Sequence, residues 1–130
     1  MSTLSVSNIT DGTDTVGTSY VVNGSAKAWV NFNGSGTIAT RDSFNVSTLT
    51  DEGTGDYTNS FTSAMSSGDY VEVDGSLETG TSRGTLIQGD THSTLASSFR
   101  VKYAISDDAA DGTQASDTTF VKRGFLGDLA

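Results

Sequence analysis

Apolar and polar residues alternate along several short segments of this chain. The clearest alternation covers residues 99–105, where one face carries Phe99, Val101, Tyr103 and Ile105. A second alternation begins at residue 26, where one face carries Ala26, Ala28, Val30 and Phe32. A repeat of two residues is the pattern of a half-buried β-strand. Both segments are therefore predicted to be strands with one face in a core.

Shorter runs predict further strands, each bounded by glycine, asparagine or aspartate. These runs lie at residues 4–9, 20–22, 38–40, 44–48, 57–65, 70–73, 85–87 and 120–125. Asn33-Gly34 predicts a tight two-residue hairpin turn, because both residues tolerate a positive φ. No segment keeps apolar residues at helical spacing. About eight to ten short strands with these turns predict an all-β fold, an antiparallel β-sandwich or jelly-roll-like domain.

The chain has 130 residues, the size of a single domain. Residues 1–25 are polar and poorly patterned, and they are predicted to form an N-terminal docking arm. Residues 26–130 are predicted to form the β-sandwich domain. Hydrophobic residues make up 34% of the chain, and its 15 glycines add no side chain to bury. Such a thin core predicts that neighbouring subunits supply part of the stability.

Charge and cysteine content narrow the range of functions. A formal net charge of −9 repels nucleic acid and anionic membrane surfaces, so neither is expected as a partner. No stretch approaches the roughly 18 apolar residues of a membrane span. Cysteine is absent, which excludes disulfides and thiolate zinc sites.

The candidates for catalysis or metal binding are few. His92 is the only histidine and is predicted to be an exposed loop residue. The acidic stretch at residues 107–117 does not follow the spacing of an EF-hand, so a solvated loop is predicted there, with a looser calcium loop as the alternative. No two carboxylates are singled out for glycoside hydrolysis. The sequence therefore predicts no catalytic residue, no cofactor and no metal site, and the protein is not expected to be an enzyme.

The alternation places Trp29, the only tryptophan, on the same strand face as Lys27 and Asn31. Three interpretations of this face follow. If both sides of the strand are covered, Trp29 belongs to the core. If the face meets another subunit, Trp29 anchors that interface. If the face meets solvent, the indole is a platform for a sugar ring.

Four pieces of sequence resemble a block that recurs in virion proteins of bacteriophages, especially those of marine and cyanobacterial hosts. The pieces are GSAKAWVNFNG at residues 24–34, RDSFNV at 41–46, DEGTGDYT with FT at 51–62, and AM with DY at 64–70. Ser66 stands where the family usually carries proline. In that family the block occurs in tail fibres and virion structural proteins. The resemblance implies a structural role and brings no catalytic residues with it.

Together these observations predict a subunit of a short fibre or other appendage on the exterior of a bacteriophage virion. A homotrimer is expected, in contact with other virion proteins and with a host-surface glycan as a further partner. Two alternatives stay open. One is a capsid decoration, or cement, protein. The other is a free carbohydrate-binding module, which requires Trp29 to be exposed.

Overall fold

The computed structural model describes residues 1–77, 85–106 and 113–130. Within these ranges the chain forms eleven strands and one short helix. The first elements are β1 (Asn8–Thr10), β2 (Thr15–Gly17), α1 (Thr18–Gly24), β3 (Ala26–Asn33), β4 (Ala39–Phe44) and β5 (Val46–Gly53). They are followed by β6 (Asp56–Phe61), β7 (Val71–Asp74), β8 (Thr85–Leu95), β9 (Ser98–Ser106), β10 (Thr113–Ala115) and β11 (Val121–Leu126).

Two antiparallel sheets pack against each other, which confirms the predicted all-β, sandwich-like fold. One sheet has four strands in the order β4-β3-β11-β7. The other has five, with β10, β9, β6 and β5 in order and β8 also paired to β9. β1 and β2 form a separate hairpin.

The core lies between the two sheets and is rich in aromatic rings. The four-stranded sheet contributes Ala28, Val30, Phe32, Val121 and Phe125, and the five-stranded sheet contributes Tyr57, Phe61, Phe99, Val101 and Tyr103. Rings meet across the interface, with centroids 5.1 Å apart for Phe32 and Tyr57 and for Phe99 and Phe125. The alternation in residues 28–32 and 99–103 therefore marks the core faces correctly, whereas Ala26, predicted on the same face, is exposed.

Residues 20–22 were predicted as a strand, and this prediction is wrong. They lie in α1, which has no buried residue and ends where the Ser25 amide donates to the Val21 carbonyl. Three apolar residues in a row do not separate a strand from a helix turn. In α1 the segment bonds locally, with the Ser25 amide donating to the Val21 carbonyl at 3.2 Å.

The turn predicted at Asn33-Gly34 is also wrong in type. β3 and β4 are joined by the five residues 34–38, and the Asn33 side chain donates to the carbonyls of Ser35 and Thr37. Gly34 is needed for close approach, because a Cβ there would stand 2.5 Å from the Tyr57 hydroxyl oxygen. The glycine thus lets the connection pack onto the core.

The strand predicted at residues 44–48 is divided by a corner at Asn45, which has a φ of +56°. β4 ends before this residue and belongs to one sheet, while β5 begins after it and belongs to the other. The Asn45 amide donates to the carbonyls of Lys27 and Ser63, each at 3.0 Å. Asparagine tolerates the left-handed backbone, and its side chain holds the corner in place.

Candidate functional site: the outer face of the four-stranded sheet

The side chains of the four-stranded sheet that point away from the core form what we call the outer face. Ala28, Val30 and Phe32 of β3 are buried, so the residues between them face outward. Trp29 is 36% exposed there, with Lys27 and Asn31 on the same side. The interpretation of Trp29 as a core residue is therefore wrong for the single chain, and the interface and sugar-platform interpretations stay open.

The strand register puts Trp29 in an apolar row that crosses the sheet. Trp29 pairs with Phe44 on β4 and with Gly124 on β11, and Gly124 pairs with Val73 on β7. Directly paired residues share a face. Phe44 is 54% exposed and Val73 is 55% exposed. Sequence reasoning missed this row, because its members are brought together only by strand pairing.

Gly124 opens a groove in the middle of the row. No atom lies within 4 Å of the position that a Cβ of Gly124 would take. The groove has a volume of about 420 Å³, with Trp29 and Val73 as its apolar walls. Asn31 and Lys122 contribute polar groups to the same lining.

A second groove of about 420 Å³ lies where α1 meets the sheet. It is lined by Val71 and Leu126 from neighbouring strands and by Asn23 from the helix. Val71 is largely exposed. The apolar surface of the outer face thus continues from the central row to the base of the arm.

Positive charge collects on and beside the outer face although the chain is strongly acidic. Lys27 donates to the carbonyls of Val22 and Ser25 and so ties the end of α1 to the start of β3. Arg41 lies 4.5 Å from the Phe120 ring centroid, and its guanidinium donates to the Thr119 carbonyl at 2.9 Å. Lys122 is exposed beside the central groove.

The inner side of the same sheet holds a buried polar cluster that sequence reasoning missed. Arg123 is only 1% exposed and donates to Glu72 at 2.6 Å and to the Tyr103 hydroxyl at 3.0 Å. Asp74 lies 3.6 Å from the same guanidinium. The sequence contained a signal for it, because Arg123 alternates with the same two-residue spacing as Val121 and Phe125, which point into the core from β11.

Burial raises the pKa of the Tyr103 hydroxyl to about 12, and the nearby carboxylate of Asp74 acts in the same direction. The Arg123 guanidinium opposes this effect, because it favours the phenolate. Tyr103 is therefore a neutral hydrogen-bonding member of the cluster at ordinary pH. Its hydroxyl and the Ser76 hydroxyl are 2.8 Å apart.

His92 is exposed, as predicted, but it lies in β8 and not in a loop. Its Nε2 is 3.1 Å from a carboxylate oxygen of Glu72, and its ring packs edge-on against Phe99. Among the described residues, no group of three or more His, Cys, Asp or Glu side chains is placed to hold a metal ion. The predicted acidic loop at 107–117 lies partly outside the described residues; within them, Asp117 accepts a hydrogen bond from the Gly55 amide.

Comparisons with protein-family models, curated proteins and solved structures found no match to this chain. In the part of the chain that the structure describes, no helix has both the length and the apolar character to cross a membrane. The outer face, with its exposed tryptophan, apolar row and basic margin, is the surface best suited to contact a partner. We take it as the candidate functional site.

Proposed function

We propose that this chain is a structural subunit of a bacteriophage virion, part of a short fibre or appendage on the outside of the particle, and that its role is not enzymatic. The observation that carries the proposal is the exposed apolar row of Phe44, Trp29 and Val73 on one sheet. A contiguous apolar patch is typical of a surface that binds another protein. The resemblance of residues 24–70 to the recurrent virion block favours a bacteriophage particle as the assembly in which this surface is used.

A homotrimer is the form we propose for this subunit. A thin core and an uncovered apolar face both favour a protein that is completed by copies of itself. Cyclic symmetry lets each copy use one surface to bind and another to be bound, so that the ring closes without open ends. Trp29 at the centre of the row would be the anchor of such contacts, because tryptophan is enriched among the residues that dominate interface energies.

Immunogold electron microscopy tests the proposal. Antibodies raised against the purified protein are applied to intact particles of the virus that encodes it. Gold at the tail or the vertices supports the appendage role. Particles that carry no gold, together with no peptide of this chain in their mass spectrum, would exclude a virion role.

The same images distinguish a capsid decoration protein, the first alternative. Gold spread evenly over the shell would identify a cement subunit that clamps capsid proteins. In that case the apolar row would contact the capsid lattice, and the isolated protein would be expected to remain monomeric.

A carbohydrate-binding module is the second alternative, and the exposure of Trp29 is the observation that favours it. An indole beside Asn31 and Lys122 offers a stacking surface with polar groups at its edge. A glycan array would show binding that Trp29→Ala abolishes and that Phe44→Ala reduces less. Absence of any glycan signal from the well-folded protein removes this alternative.

A further inference from the structure

We propose that the outer face binds the N-terminal arm, residues 1–25, of a second copy of this chain. This inference rests on the self-association within the proposed function, but it does not depend on the viral assignment. The arm and the outer face both expose apolar side chains, and both are uncovered in the single chain.

The arm exposes many apolar side chains. None of its residues is buried, and its exposed large apolar side chains are Met1, Leu4, Val6, Ile9, Val16, Tyr20, Val21 and Val22. A two-stranded hairpin and a helix of seven residues are each marginal in water without tertiary packing. The order of the arm therefore requires a surface on which its apolar side chains can be buried.

The outer face supplies a surface of matching character. Trp29 and Val73 border the groove over Gly124, and the open space there can accept a side chain from above. Tyr20 and Val22 on α1 are among the most exposed large apolar residues of the chain. Burial of such side chains in the groove would favour association.

Charge favours the same pairing. The arm carries Asp11 and Asp14 and has no lysine or arginine. The outer face has Lys27 and Lys122 and also carries Asp42, in a chain whose net charge is −9. The two lysines would attract the acidic arm.

The root of the arm lies beside its own outer face, where Asn23 lines the second groove, but the apolar side chains of the arm are not buried there and remain available to a second copy. Lys27 bonds the carbonyls of Val22 and Ser25, which holds the end of α1 at the first residues of β3. No arm residue is buried against the sheet that it precedes. An arm that reaches the face of the next copy makes a head-to-tail contact, and such contacts form a ring when the rotation between copies closes.

The first experiment uses the full chain over a range of protein concentrations. Light scattering gives the mass, and iodide quenching of Trp29 fluorescence shows whether the indole is accessible to solvent. The arm variant is Tyr20→Ser with Val22→Ser, and the face variant is Val73→Lys. Leu95→Lys is the matched control, because Leu95 is 56% exposed but lies in the five-stranded sheet. All these side chains are exposed in the single chain, so the fold should be retained.

We expect the unmodified chain and the control to form an oligomer in which Trp29 is shielded. The arm and face variants should each weaken association at least about tenfold and expose Trp29 to iodide, because they remove apolar contacts or bury an unpaired charge. A full chain that is monomeric at every concentration overturns the proposal. A monomer in which the arm variant exposes Trp29 also overturns it, because the arm would then cover its own sheet.

The second experiment uses the absence of cysteine. Tyr20→Cys chains and Val73→Cys chains, carrying tags of different size, are mixed and treated with a short flexible bismaleimide. A strong band at the sum of the two masses is expected, since this link can form only between copies. A band no stronger than that from Tyr20→Cys mixed with Leu95→Cys would overturn the proposed contact between the arm and the outer face. Failure of particle labelling would leave these results unchanged and would refute only the viral assignment.

Discussion

Arg123 donates from Nη2 to an Oε atom of Glu72 across 2.6 Å, inside a sandwich where its side chain is only 1% exposed. The two residues lie on neighbouring strands, β11 and β7, and the guanidinium stacks 4.5 Å from the Phe99 ring centroid. A buried guanidinium of this kind requires its carboxylate partner, because an unpaired charge in the core is costly. The pair therefore joins the edge strand β7 to the rest of the fold.

Loss of the Glu72 carboxylate should destabilise the protein strongly. Glu72→Ala is expected to lower the free energy of unfolding by about 3 kcal/mol. This is near the low end of the range for removing one partner of a buried ion pair, because Asp74 remains close to Arg123. Urea denaturation of this variant and of the unmodified chain at the same protein concentration measures the loss. Adding Arg123→Met to Glu72→Ala should recover much of the loss; equal stability of the single and double variants would contradict this account.

Replacement of Asn59 should stabilise the protein. Asn59 is fully buried in β6, and among the described residues neither polar atom of its carboxamide has a hydrogen-bond partner. Burial of an unpaired amide costs on the order of 1–3 kcal/mol, so Asn59→Leu, which keeps the branched shape but is larger, is expected to gain about 1 kcal/mol. Thermal and urea unfolding check this. The control is Asn31→Leu on the outer face, where no such gain in stability is expected. A loss of stability in Asn59→Leu would show that the Asn59 amide is hydrogen-bonded in solution.

Alanine substitutions at two glycines should distinguish the cost of backbone strain from the cost of close packing. Gly36 and Gly55 have nearly the same φ, +67° and +68°. A Cβ at Gly36 meets nothing within 4 Å, whereas one at Gly55 would stand 2.5 Å from the Ser116 carbonyl oxygen and 2.6 Å from that of Tyr103. Gly36→Ala should cost about 1–2 kcal/mol from the left-handed backbone alone.

Gly55→Ala should cost a further 1–3 kcal/mol or so, because backbone atoms cannot move aside as a flexible side chain can. Chemical denaturation of the two variants in parallel gives the difference directly. Equal losses would mean that the β5–β6 connection moves freely away from Ser116 and Tyr103.

Alkaline pH should destabilise the fold through its buried tyrosines. Burial raises the pKa of Tyr103 to about 12 and also raises the pKa values of Tyr57 and Tyr70. For Tyr103 the resulting stability is fully present below the unfolded pKa of about 10 and is lost as the pH rises from about 10 to about 12, a total of roughly 3 kcal/mol.

Urea denaturation at a series of pH values, with tyrosinate absorbance recorded alongside, measures this loss. Tyr103→Phe removes one of the titrating groups, so its stability should fall less steeply over the same range. An identical slope for the variant and the unmodified chain would show that Tyr103 does not contribute.

Much of the fold could be predicted from local patterns. The alternation at residues 28–32 and 99–103 identified the core faces, because the side on which a strand residue points depends only on its position in the repeat. The helix at residues 18–24 was missed because a short apolar run does not distinguish a strand from a helix turn, and the corner at Asn45 was missed because a single backbone reversal leaves no periodic pattern. Sequence placed Trp29, Lys27 and Asn31 on one face but could not show whether that face was covered.

Composition and the two-residue repeat are local properties, and they were enough to predict an all-β domain with a thin core and to put Trp29 on the side opposite Phe32. The row of Phe44, Trp29, Gly124 and Val73 is visible only in the folded chain. So is the contact of Arg123 with Glu72, 51 residues away in the chain. Strand order and register create those neighbours, and they are set by the packing of the whole sandwich.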